Sequence, residues 1–259
     1  MSVVRAGRAR AWFGDVRTRI DPSTVAALLL GVFAIWSWIQ VFRQLGDIQW
    51  DFRIYYHAAK ADIAGQDPYD PATLARFARR RVLGGYAYPP ATLAFFKPFT
   101  LASFDSARQI FFCFKTLLLV GLVALWRTRF SDARAALVLY LACLFAFNNT
   151  IYVDLRAGNV SLLEQALLWP AFYCYTRGRL AWFCVLVLFA STWKQVPILF
   201  LGLLLVELDR KRMMLLLASL AAFAAYLLVS RAAQPDLFAA FLENAAKTNS
   251  ESKILNPSS

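Results

Sequence analysis

Three places in the chain set residue types capable of chemistry where such types are costly. Asp51, in IQWDFRIYYHAAKADIAG (48–65), stands between Trp50 and Phe52. A carboxylate with an apolar neighbour on each side, at a water–membrane boundary, has its pKa raised toward the range useful for a general base. The same residue could instead be a helix N-cap, worth about 1 kcal/mol and nothing more. Lys194, in STWKQVPIL (191–199), lies between two apolar runs and just before Pro197. Its ammonium can meet a phosphate as a point charge, or simply snorkel at a helix end. The third place is NNTIYVDLRAGNVSLLEQ (148–165), where Asp154, Arg156, Asn159 and Glu164 crowd a turn that needs only two or three polar residues. Gly158 permits a sharp bend there; the plain alternative is a hydrated loop closed by an Asp154–Arg156 contact. Asn148-Asn149-Thr150 and Asn159-Val160-Ser161 fit the glycosylation acceptor pattern, a three-residue match of little weight.

Other chemistries find no support. The sequence contains no GxGxxG after a strand, no GxxxxGK[ST], no HExxH and no GxSxG. Hydride transfer, NTP hydrolysis and zinc proteolysis are therefore not indicated. The four cysteines, Cys113, Cys143, Cys174 and Cys184, lie inside apolar runs without CxxC spacing, which reads as buried small hydrophobes. His57 is the one histidine of the chain, so a multi-histidine metal centre is excluded.

The elements that must position these residues are set by composition. Hydrophobic residues make up 59% of the 259 and charged residues 17%, with 22 Phe and 8 Trp, against about 45–50% and about 25% in globular proteins. Too little polar surface is left to clothe a soluble fold, and an all-α polytopic membrane protein is expected. The same balance excludes a disordered chain, a disulfide scaffold and a soluble nucleic-acid binder, despite a net charge of +12. Apolar runs at 24–42, 106–126, 134–148, 159–176, 180–194, 196–209 and 213–230 predict about seven transmembrane helices, those at 180–194 and 196–209 short enough to be tilted or half-inserted. Basic clusters fall in the N-terminal tail (Arg5, Arg8, Arg10, Arg17, Arg19), at Arg127/Arg129/Arg134, at Arg177/Arg179 and at Arg210/Lys211/Arg212. Cytoplasmic loops collect Lys and Arg, so the N-terminus is expected inside the cell and the helices form hairpins. One membrane domain results: a cytoplasmic tail (1–23), an outer loop (44–105), transmembrane hairpins (106–230) and an outer tail (231–259). The first span reads as an uncleaved anchor, since no small-residue cleavage site follows it.

The outer loop is structured. Phe52, Tyr55, Tyr56, Ala59 and Ile63 recur at helical spacing, with Arg53, His57 and Lys60 on another face, which predicts an amphipathic helix lying in the membrane interface. Gly65 suits a left-handed stop, and Asp70 before Pro71 suits the cap of a second short helix. GGYAYPP (84–90) reads as a turn and a rigid extended stretch leading into ATLAFFKPF (91–99), which is apolar but too short to span and so interfacial or re-entrant. Arg79–Arg81 give the loop a basic run, either a solvated headgroup-facing surface or a site for an anionic ligand.

DFRIYYHAAKADIAGQDPYD (51–70), YAYPPATLAFFKPFTLASFDSARQIF (86–111), AGNVSLLEQALL (157–168) and WKQVPILF (193–200) together resemble glycosyltransferase family 87, the polyprenyl-phosphate-mannose-dependent membrane mannosyltransferases of the GT-C superfamily. The resemblance covers about residues 25 to 230. It implies a bundle with its active site on the outer face, a polyprenyl-phosphate sugar donor, a glycan or glycolipid acceptor, and no cofactor, metal or nucleic acid. Asp51 matches the family's acidic residue after helix 1, the expected catalytic base. Lys194 matches the lysine of a K-x-x-P stretch, and with Arg156, Asn159 and Tyr88 forms the expected substrate-binding set. The chain departs from the family where Gly-Gln is followed by Val-Asn, carrying Gly158-Asn159-Val160-Ser161 instead. Family members are also typically longer, so the chain reads as ending where a second outer segment begins, with a partner chain as one source of further helices. The alternatives are a non-catalytic lipid-binding or assembly fragment of such an enzyme and a small transporter, the latter disfavoured by the scarcity of charges within the helices.

Overall fold

The computed structural model describes residues 22–44, 48–80, 82, 84–130, 150–207 and 209–255, and they are helical with no strand among them. In chain order the α-helices are α1 Pro22–Arg43, α2 Trp50–Ile63, α3 Pro71–Ala78, the single turn α4 Leu93–Phe96, α5 Phe104–Arg129, α6 Thr150–Ala157, α7 Ser161–Thr176, α8 Leu180–Ser191, α9 Arg210–Ala233 and α10 Pro235–Leu255. Short 3-10 turns at Pro90–Thr92 and Lys97–Leu101 flank α4, and a longer 3-10 stretch, Val196–Leu205, follows α8. The run expected at 134–148 and the basic N-terminal tail lie outside the described residues.

Two of the described helices, α5 and α9, are long and apolar enough to cross a membrane. Their outward positions carry apolar side chains, Leu117 and Val120 on α5 and Leu217, Leu228 and Val229 on α9, all exposed. Continuous apolar exposure of this kind is stable against lipid, not water. At 1.5 Å per residue, α8 reaches only about 18 Å, short of a hydrocarbon core of about 30 Å. α1 is a 22-residue helix fixed to α5 by Trp38, whose Nε1 donates to Thr116 Oγ1 at 2.9 Å.

Local signals between α1 and α5 are realised where the chemistry is local. Asp70 caps α3, its carboxylate accepting from the Ala72 amide at 3.1 Å and the Thr73 amide at 2.9 Å, with Pro71 opening the helix. α2 ends on Gly65 at φ 66°. The Gln66 amide reaches back to Ala61 O at 2.8 Å and the Gly65 amide to Asp62 O at 3.0 Å, a Schellman stop.

Two expectations are corrected. Asp51 does not cap α2. Gln49 holds that position in a left-handed conformation (φ 65°), with no side-chain cap bond, and Asp51 sits one residue inside the helix. Nor is α2 apolar on one face and open on the rest: Ile54, Ala58 and Ala61 are buried along with Phe52, Tyr55 and Tyr56, while Ile63 is exposed. The reason is the segment 90–101, which folds over α2 and makes it a core helix. Phe52 stacks on Phe111 at 4.5 Å, Tyr55 meets Phe96 at 4.8 Å, and Phe95 meets Trp193 edge-on at 5.0 Å. Aromatic pairs of this kind contribute roughly 0.5–1.5 kcal/mol each beyond the area they bury. The tail after 231 is helical too: Phe241 of α10 packs into the same core and Asn244 donates to Tyr86 O at 2.9 Å.

The polar flank of α2 packs against rings. His57 stacks on Phe104 at 5.6 Å, and the Arg53 and Arg108 guanidinium groups lie over the same ring. Burial, then the charges of Lys60 and Arg53, lower the His57 pKa to about 4. A histidine depressed in the folded state takes up protons in the unfolded chain first. Its contribution to stability is therefore complete above the unfolded value of about 6.5 and is lost as pH falls from there toward 4. The melting temperature of the detergent-solubilised protein is expected to drop between pH 7 and pH 5. His57→Phe, which keeps the stack, should remove most of that slope; an unchanged slope assigns it elsewhere.

Candidate functional site

The site is built where the start of α2, the middle of α5, the bend between α6 and α7 and the corner after α8 meet. The bend was expected as a polar loop but its first half is helix α6, and the left-handed Gly158 (φ 70°) then turns the chain into α7. That glycine is needed twice over. A Cβ there would sit 2.5 Å from Gln49 Oε1 and 2.8 Å from Phe52 Cβ, so any side chain would push the bend away from α2.

Close approach of these backbones places Asn159 against Asp51. Asn159 Nδ2 donates to Asp51 Oδ2 at 2.7 Å. Asn159 Oδ1 accepts from the Ser161 amide at 3.0 Å and from Ser161 Oγ at 2.9 Å, which fixes the orientation of the side-chain amide. Ser161 Oγ in turn accepts from Lys194 Nζ at 2.7 Å. The result is a one-way chain of donors, from the Lys194 ammonium through Ser161 and Asn159 to the Asp51 carboxylate. Every member hands on polarisation in the same direction, which strengthens each bond. Glu164 stands 3.4 Å from the Lys194 ammonium, leaving that group a third hydrogen for a ligand.

The bend is anchored from below by Lys115. Its side chain is fully buried, and its Nζ lies 2.6 Å from each of three oxygens: the Asp154 carboxylate, Asp154 O and Asn159 O. A buried ammonium is tolerated only with such a complete set of partners. Asp154 thus pairs with Lys115, and the Asp154–Arg156 contact expected from the sequence is not formed.

Burial pushes the Asp51 carboxyl above the usual aspartate range. The Asn159 hydrogen bond and the Lys115 and Lys194 charges pull it down, while the Asp154 charge adds to the rise. A carboxylate held this way is more basic than one in water. Tyr88 stands close to this charge: its hydroxyl is 3.1 Å from that of Tyr55 and its phenol is pushed up to about 12, by burial first, with Asp51 among the contributing charges. It remains a neutral hydroxyl at neutral pH.

Of the residues singled out from sequence, the structure draws Asp51, Asn159 and Lys194 into one hydrogen-bonded chain, with Tyr88 at its edge. Arg156 faces elsewhere, its guanidinium over the Tyr152 ring at 5.7 Å and its Nε buried without a hydrogen-bond partner. Sequence reasoning gave no site role to Lys115 or Ser161. A lone lysine in the apolar run 106–126 was the available signal for Lys115, since a charge at such depth demands a partner. Ser161 carried no signal of its own.

A half-buried carboxylate is thus joined through Asn159 and Ser161 to an ammonium group, in a helical chain whose α5 and α9 carry exposed apolar faces. The family model of glycosyltransferase family 87 matches residues 86–259, and the chain belongs to that family. Family membership makes it a membrane glycosyltransferase in general terms. Tyr88, Lys115, Arg156, Asn159, Ser161 and Lys194 lie within the matched span and Asp51 lies before it. Comparison with curated proteins and with solved structures returns no significant match.

Proposed function

We propose that this chain transfers a hexose, mannose in first place, from a polyprenyl-phosphate sugar to an acceptor hydroxyl at the outer face of the cytoplasmic membrane. The reading includes about seven spans, a cytoplasmic N-terminus and inversion at the anomeric carbon. The observation that carries it is the directed chain Lys194–Ser161–Asn159–Asp51, which sets a base and a cation at two ends of one rigid device.

Asp51 Oδ2 is held by Asn159, so Oδ1 is the oxygen that takes the acceptor proton. The acceptor oxygen attacks the anomeric carbon and the bond from that carbon to the phosphate oxygen breaks. Polyprenyl phosphate leaves with the electron pair, and the free hydrogen of the Lys194 ammonium meets the charge that develops. One carboxylate suffices, in contrast to the paired carboxylates of glycosidases. The exposed apolar flanks of α5 and α9 favour a donor whose isoprenoid tail approaches through the bilayer. Arg156 has no part in this scheme.

The test is transfer by membranes containing the chain, supplied with radiolabelled polyprenyl-phosphate mannose, glucose or galactose, and with the corresponding nucleotide sugars as controls. Label is expected to pass from one lipid donor and from no nucleotide sugar. Lys194→Met is expected to cut that transfer by about 10²-fold, the effect of removing one donor aimed at developing charge. Normal membrane insertion with no transfer from any lipid donor would instead support a non-catalytic fragment.

A further inference from the structure

We infer that the groove between the N-terminal ends of α8 and α9 is a binding site for an anionic membrane phospholipid. The groove encloses about 820 Å³. Its rim carries Arg179, Arg210 and Lys211, and its interior is formed by Trp182, Met214 and Leu215. It lies at the opposite end of α8 from Lys194, about 18 Å away by helix rise, so it is separate from the Asp51 cluster and does not depend on the reading of that cluster.

Among the described residues the charges of the rim are unanswered. The acids nearest in sequence, Glu207 and Asp209, are both engaged by Arg212, whose Nη2 bonds Glu207 and whose Nε lies 3.3 Å from Asp209. Asp209 also spends its other oxygen capping α9 through the Arg212 amide at 2.7 Å. Among the described residues no carboxylate pairs with Arg179, Arg210 or Lys211, and all three are exposed. α8 has neither an acidic residue in its first turn nor a side-chain cap, so its unmet amides add to the positive field. Three cations lining one groove repel one another, and no carboxylate among the described residues offsets it.

An occupant must satisfy two conditions at once. It must carry negative charge at the rim, and it must cover apolar surface inside, where Trp182 is 63% and Met214 60% exposed. Free phosphate meets the first condition only, and a neutral lipid only the second. A phospholipid with an anionic headgroup meets both, its phosphate at the Arg179–Arg210–Lys211 rim and its acyl chain along Trp182 and Met214. Basic clusters on the face that the charge pattern assigns to the cytoplasm sit where anionic lipid is concentrated, and tryptophan is at home at that depth.

The full chain, purified in neutral detergent, is titrated with phosphatidylglycerol, with phosphatidylcholine and with inorganic phosphate, and bound species are counted by native mass spectrometry. Phosphatidylglycerol is expected to be retained about tenfold or more over phosphatidylcholine. R179Q/K211Q is expected to weaken its binding by about 25-fold, at about fivefold per charge. R127Q/R231Q, which removes equal charge from exposed positions elsewhere, should leave it within twofold. Phosphatidylglycerol with brominated acyl chains should quench tryptophan fluorescence, and Trp182→Phe should remove the larger part of that quenching. Equal retention of both lipids, equal losses in the two double variants, undiminished quenching in Trp182→Phe, or displacement of the lipid by excess inorganic phosphate would each overturn the assignment.

Discussion

Asp51→Asn is expected to lower sugar transfer by roughly 10²–10⁴-fold, the usual contribution of a positioned general base, with little change in the amount of folded protein. Asparagine keeps the shape of the side chain and an oxygen for Asn159 Nδ2, so the bend before α7 stays in place while the proton acceptor is lost. The pH profile separates this role from a purely structural one. Burial raises the Asp51 carboxyl above the ordinary value of 3.8, and the Asn159 hydrogen bond opposes that rise. The acid limb of kcat/KM should therefore lie above the range of a free aspartate. Asn159→Ala removes a donor that favours the charged form, so the limb should move further up in pH, with lower activity at neutral pH. Full transfer by Asp51→Asn, or a limb that does not move in Asn159→Ala, would take the base role away from Asp51.

Lys115→Met is expected to destabilise the protein by about 3–5 kcal/mol, since it leaves the Asp154 carboxylate buried without its cation. Asp154 is only 8% exposed and lies on the same bend that carries Asn159. Two backbone carbonyls, Asp154 O and Asn159 O, lose their donor in the same step. The double variant Lys115→Met/Asp154→Leu should recover much of the stability, because an apolar pair of similar volume replaces a buried ion pair at little net cost. It should not recover activity, since the two carbonyls that hold the Asn159 bend remain without their ammonium. Thermal unfolding in detergent alongside transfer assays reads both outcomes. A single variant as stable as wild type would show that the bend is held by the α6 and α7 packing alone.

Much of this protein is legible along the chain because its causes are local or compositional. An excess of apolar residues with few charges settles the membrane character and the helical class, since the backbone must bond within each segment in lipid. Asp70 before Pro71 and Gly65 after an apolar repeat mark helix ends, because a cap needs only the two or three amides next to it. The acidic residue after the first apolar run and the lysine before a proline are visible as types out of place.

The use of those residues is decided only in three dimensions. Asn159 meets Asp51 across 108 positions, Lys115 reaches Asp154 across 39, and Lys194 reaches Ser161 across 33. No periodicity carries such pairings, because a hydrogen bond between distant residues depends on how helices pack and not on what precedes or follows each partner. The same holds for α2, whose 3.6-residue pattern suits a membrane surface equally well until the segment 90–101 covers it. Packing density made the difference: Gly158 lets the bend approach α2 within contact distance, and that approach turned a helix-cap candidate into one end of a polarised chain.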